Sequence, residues 1–142
     1  MVKNLQGWRL STEKNHVVVK GFVGATTSDM EDYVKPVIRK EPQKLILLVG
    51  TNVLKKTTPN RVAEGIANIA TRIQEDSPGT EIVLSSLLPR SDKPELSAKV
   101  SETNKIITAI CCKSKWKFID QKLINATCLN SRGLHFNRKG TA

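Results

Sequence analysis

Leu45-Ile46-Leu47-Leu48-Val49-Gly50-Thr51-Asn52 is the stretch on which the fold turns. Five consecutive apolar residues, ended by a glycine and then two polar residues, read as a strand buried on both faces and released into a loop. A strand of that kind belongs to a parallel sheet covered by helices, so helical patterns are expected on either side of it. Downstream, Thr58-Pro59 reads as an N-cap and first helical position. Val62, Ile66, Ile69 and Ile73 then recur at helical spacing to about Asp76, and Ser77-Pro78-Gly79 ends the pattern.

The alternation continues. Ile82-Val83-Leu84 reads as the next strand and Pro89-Arg90-Ser91-Asp92-Lys93-Pro94 as an exposed loop. Leu96, Val100, Ile107 and Ile110 mark a further helix, with Asn104 facing polar neighbours or the site, and Trp116-Lys117-Phe118-Ile119-Asp120 a last short strand. Upstream, Val17-Val18-Val19 reads as a strand ending at Gly21 and Gly24. Ser28 and Glu31 have capping-box spacing for a helix to about Arg39, in which Pro36 predicts a kink or break. The fold class expected is α/β: a three-layer α/β/α sandwich with a flavodoxin-like parallel sheet, whose usual order is 2-1-3-4-5.

Repeats, low-complexity stretches and linkers are absent, so residues 1–142 are expected to form a single domain. That domain is expected to be truncated at both ends. No first strand precedes the Met1 to Trp8 segment, and a helix opening at Asn137 or Arg138 is cut within its first turn. Without its first, central strand, residues 17–19 must pair directly with residues 45–49 or stand apart.

With 39% apolar and 25% charged residues, the composition is that of an ordinary soluble protein, and no run approaches the ~20 apolar residues of a membrane span. The opening residues have no apolar core like that of a signal peptide, so the cytosol, or else the nucleus, is the expected compartment. Cys111, Cys112 and Cys128 are poorly spaced for zinc or pairing and read as reduced thiols, with Cys111 or Cys112 on the core face of a helix. The sequon Asn125-Ala126-Thr127, without a secretion signal, reads as chance. A net charge of +10 draws anionic partners, so weak, non-specific contact with nucleic acid or an anionic membrane is expected. The basic residues are scattered and aromatics make up only 4%, which disfavours specific readout of a nucleic acid.

Three polar loops carry the chemistry: Gly24-Ala25-Thr26-Thr27, Gly50-Thr51-Asn52, and Gly133-Leu134-His135-Phe136-Asn137 followed by Gly140-Thr141. Loops at successive strand ends of an open sheet can converge on one pocket. Histidine, asparagine and a glycine turn suit acyl transfer as base, side-chain oxyanion donor and backbone oxyanion donor. Singly, each has a plainer use: Asn52 capping a turn, the glycines serving positive φ, His135 lying on the surface. No serine sits in a strained nucleophile elbow; Ser28 reads as a helix cap, and Ser85 and Ser86 end a strand.

In order and spacing these loops resemble the later blocks of the SGNH (GDSL-type) hydrolase superfamily. The run through Leu45-Ile46-Leu47-Leu48-Val49-Gly50-Thr51-Asn52 most resembles the esterase domain of the first open-reading-frame protein of LINE-type retrotransposons. The resemblance implies a serine-acyl ester hydrolase of a small ester or lipid, without metal or cofactor. It assigns His135 as general base, and Gly24 and Asn52 as oxyanion donors. It also implies that the Gly-Asp-Ser nucleophile lies immediately before Met1, which would leave this chain inactive by itself. Two positions depart from the family: Arg132 stands where Asp-x-x-His has its acid, and Val53 where Gly-x-Asn-Asp has its last residue. Both departures favour an alternative, a non-catalytic binding module on the same fold that contacts protein, RNA or an anionic membrane.

Overall fold

The structure, a computed structural model, describes residues 5–133 and 135–140. Residues 1–4, Leu134, Thr141 and Ala142, on which parts of the quoted motifs fall, lie outside the described residues. The fold is α/β on a parallel sheet, as the alternation predicts. Strands β1 (Lys44–Leu47), β2 (Glu81–Ser85) and β3 (Lys117–Ile119) lie in the order β1-β2-β3, all parallel, with Ile46 aligned to Val83 and Val83 to Lys117.

Helix α4 (Pro59–Asp76) joins β1 to β2, and α5 (Pro94–Ser114) joins β2 to β3. Right-handed crossovers between consecutively placed strands put both helices on one face, where they pack side by side. That face carries Leu45, Leu47, Ile82 and Leu84, which meet Val62, Ile66, Ile69 and Ile73 of α4 and Leu96, Val100 and Ile107 of α5 in one core. Thr58 caps α4 by accepting from the Arg61 N–H, with Pro59 in the first turn, as the sequence predicts. Helix α5 stops at Lys115, which turns left-handed at φ 58°.

Three expectations are corrected. The run from Leu45 to Val49 is not buried on both faces: Leu45 and Leu47 are buried, but Ile46 is 58% exposed. The strand alternates because α4 and α5 cover only the side on which its neighbours point. Residues 17–19 form no strand and stand apart from the sheet, with Val18 62% exposed. The Val17 N–H bonds instead to Ser11 Oγ at 2.9 Å, beside the short helix α1 (Gly7–Leu10). β-propensity expresses packing on a neighbouring strand, and this β-branched run has none to pack on.

The helix before β1 opens two residues earlier than expected. Its N-cap is Thr26, paired reciprocally with Asp29, and Ser28 lies inside the first turn of α2 (Thr27–Tyr33). The expected break is present: α2 ends at Val34 and α3 (Lys35–Ile38) restarts with Pro36 in its first turn. Proline has no N–H to donate and its ring crowds the carbonyl of the preceding turn.

Candidate active site

The Gly24 loop is a β-turn closed by the Ala25 N–H on the Phe22 carbonyl at 3.4 Å. Gly24 is its third residue at φ 78°, the sign a type II turn requires there and glycine adopts without cost. The capping box at Thr26 fixes where the loop becomes α2. Gly65 of α4 lets that start approach closely, since a Cβ there would stand 2.8 Å from Thr27 Oγ1. The loop is thus held from both ends.

Gly50 turns the chain out of β1 at φ 115°, with a would-be Cβ 2.8 Å from Val62 Cγ1. Thr51 is buried and Asn52 exposed. Asn52 Nδ2 donates to the Ala25 carbonyl at 3.0 Å, so the first two candidate loops meet at the residue after Gly24. An amide nitrogen carries two hydrogens, and this bond uses one, leaving the other to donate elsewhere. Lys99 of α5 steadies the same loop from below, donating to the Leu54 and Thr57 carbonyls, both at 3.1 Å.

The histidine loop is organised by its asparagines. Asn130 receives the Arg132 N–H on its side chain, and its own N–H donates to the His135 carbonyl at 2.7 Å. Asn137 Nδ2 donates to the Thr127 and Leu129 carbonyls, and Asn137 Oδ1 accepts the Gly140 N–H at 3.0 Å. That last bond caps the turn at residues 138–140, where the sequence predicts a helix to open. His135 itself is exposed.

What joins this loop to the others lies in the segment after β2, read from sequence as exposed. That expectation fails at its centre: Arg90 is only 4% exposed. Its guanidinium donates from Nε to Asp92 Oδ1 at 2.8 Å, from Nη2 to Asp92 Oδ2, and from Nη1 to the Thr51 carbonyl at 3.1 Å. The Arg90 hydrogen bond, above all, holds the Asp92 carboxyl below the usual carboxylate range, against a smaller opposing effect of burial. The Ser91 N–H donates to the Gly133 carbonyl at 3.1 Å, two residues before His135. Asn104 of α5 faces polar neighbours, one of its two expected settings: it clamps the Leu87 backbone, accepting its N–H at 2.7 Å and donating to its carbonyl at 3.0 Å.

Ser85 and Ser86 are buried and tied to Gln121, whose side-chain nitrogen donates to Ser85 Oγ and whose backbone N–H donates to Ser86 Oγ, both at 3.0 Å.

The profile of the GDSL-like lipase/acylhydrolase family matches residues 3–142. The chain belongs to the GDSL-like lipase/acylhydrolase family. Among relatives of this GDSL-like acylhydrolase chain is a platelet-activating factor acetylhydrolase IB subunit beta homolog of Drosophila melanogaster, 34% identical over 87 residues. That match takes in 58% of this chain but only 38% of the fly protein. A GDSL-like lipase from Bacteroides thetaiotaomicron superposes with a TM-score of 0.74 at 19% identity, covering 85% of this chain and 67% of that one. A carbohydrate esterase of family 3 from Talaromyces cellulolyticus gives 0.74 at 14% identity, covering 92% and 67%. At these identities the two structures establish the α/β fold of the GDSL-like chain. Among the described residues, no helix is long and apolar enough to cross a membrane.

Proposed function

We propose that this chain is an ester-hydrolase domain working through a serine-acyl intermediate. The observation that carries the reading is the bond from Asn52 Nδ2 to the Ala25 carbonyl, which ties the Asn52 loop to the loop of Gly24, whose N–H is the second donor in this reading. Two donors so placed suit the oxyanion of a tetrahedral intermediate, and one such donor is typically worth ~3–4 kcal/mol. His135 serves as base: it takes the proton of a serine hydroxyl as the oxygen attacks the ester carbonyl, then returns it to the departing alcohol. Water, activated by the same imidazole, releases the acid. The nucleophile in this reading belongs to a Gly-Asp-Ser segment ahead of Met1, and residues 1–142 act as one domain with it. No metal or cofactor takes part.

The substrate class is a small ester or a lipid ester, in keeping with relatives described as a lipase, a carbohydrate esterase and an acetylhydrolase homolog. Within the family, the motif spacing most resembles the retrotransposon esterase domains.

The second reading, a non-catalytic module, is favoured by Val53, which packs against the core where the family pattern has an acid, and by exposed Arg132. Such a module meets protein, RNA or an anionic membrane through its charge of +10. Hydrolysis of p-nitrophenyl acetate separates the two. Turnover by a version extended upstream through Gly-Asp-Ser, lost in His135→Ala, supports the enzyme; no turnover by a folded extended protein leaves the module.

A further inference from the structure

Arg90 touches none of the residues assigned to the chemistry by sequence, yet its neighbours join two of the three loops that carry them. One arm of its guanidinium holds the Thr51 carbonyl, the residue before Asn52. The other two grip both oxygens of Asp92. The residue between, Ser91, is bonded through its N–H to the Gly133 carbonyl. The contact there leaves no slack: Gly133 lies at φ 63°, and a Cβ on it would stand 2.3 Å from Ser91 Oγ and 2.9 Å from the Asp92 nitrogen. A guanidinium is planar, stays charged at every ordinary pH, and fixes both partners in one plane. With its side chain 2% exposed, it cannot trade these partners for water.

We propose that Arg90 is a positioning residue that sets the spacing between the oxyanion-donor loop at Asn52 and the loop carrying His135. A buried Arg–Asp pair is weak evidence for stability as such, because desolvation offsets much of the attraction. Its geometry, by contrast, couples segments 39 positions apart, at Thr51 and Arg90, which follow the paired strands β1 and β2. The catalytic meaning of that spacing rests on the ester-hydrolase reading; the coupling itself does not.

The test is a set of ¹H–¹⁵N spectra of this chain, following the Asn52 side-chain amide, the His135 backbone amide and the Ile69 amide in the core. In Arg90→Gln, the Asn52 and His135 signals shift together and exchange with solvent about tenfold faster, while Ile69 is unchanged. Arg90→Lys, which keeps the charge and one bond, restores both in part. If Asn52 and His135 respond independently, or if Ile69 loosens in step with them, Arg90 is merely structural and the proposal fails. Should Arg90→Gln not fold, Gly133→Ala approaches from the histidine side. It must then move the Arg90 Nε–H and the Asn52 amide, and silence at both overturns the coupling. Absence of turnover in the upstream-extended protein, by contrast, removes the ester-hydrolase reading and leaves these spectra to decide the coupling alone.

Discussion

Asn52 Nδ2 reaches the carbonyl oxygen of Ala25 at 3.0 Å, a bond between side chain and backbone that closes 27 residues of sequence. It binds the turn after β1 to the turn before α2, two segments with no strand pairing between them. Because it lies on the surface, its worth to stability is small, about 1 kcal/mol or less. On the proposed ester-hydrolase reading, its worth to a transition state is larger, since it aims the second amide hydrogen.

That contrast is testable. In the upstream-extended protein, Asn52→Ala is expected to lower kcat on p-nitrophenyl acetate by roughly a hundredfold or more, with KM little changed. Its melting temperature should fall by no more than a few degrees. A variant that lost activity only in proportion to its folded fraction would reduce Asn52 to a loop tie.

The two glycines of the site make opposite demands. Gly50 combines φ 115° with a would-be Cβ 2.8 Å from Val62 Cγ1 and 3.2 Å from Ile66 Cδ1, so an added methyl meets strain and the α4 core together. Gly50→Ala should cost about 3 kcal/mol, a drop in Tm of roughly 10 °C. Gly24 has φ 78° but nothing within 4 Å of a would-be Cβ, so Gly24→Ala should cost about 1 kcal/mol, from the backbone alone. Thermal melts of the two variants measure the difference; equal costs would mean the Gly50 turn relaxes freely.

Much of this was legible in the residues, for reasons that also explain the failures. The α4 pattern and its Thr58-Pro59 start were readable because a helix's buried stripe and its cap are local, periodic facts. Thr26-x-x-Asp29 and Ser28-x-x-Glu31 carry the same capping spacing, and only the backbone's turn at Gly24 selects the first. Residues 17–19 have strand composition, but a strand exists by virtue of its neighbour. Arg90 was the largest omission. A loop arginine between prolines reads as solvated, and the one local clue was Asp92 two positions on, close enough for a bidentate pair. Its third bond, to Thr51, spans 39 residues and left no pattern to read. Of the candidate site, Asn52 is bonded to the residue after Gly24, while the His135 loop is tied in through residues that sequence reading assigned to solvent.

The cysteines divide by burial. Cys111 is 2% exposed and Cys128 7%, while Cys112 points outward from the same helix as Cys111. Burial, with a smaller contribution from Cys112, pushes the Cys111 thiol above its usual range, which lowers its reactive thiolate fraction further. Reaction with a chromogenic disulfide at pH 8 should therefore show one fast thiol and two slow ones that appear only on unfolding. Two fast thiols in the native protein would contradict this packing.

Acid offers a last reading of the loop clamp. Asp92 is held below the usual carboxylate range chiefly by its hydrogen bond to Arg90, so its carboxylate favours the folded state. For a group whose folded pKa is depressed, the stabilising contribution is fully present above the unfolded value, about 4, and is lost as pH falls through the folded value. The wild-type melting temperature should thus decline below about pH 4 more steeply than that of Asp92→Asn, which has no proton to take up there. Near neutral pH Asp92→Asn is the less stable protein, because buried Arg90 has lost its counter-charge. The two melting curves should converge as the pH falls through the folded-state value of Asp92. Parallel curves across that range would show that Asp92 titrates alike in folded and unfolded chains, and that Arg90 does not grip it in solution.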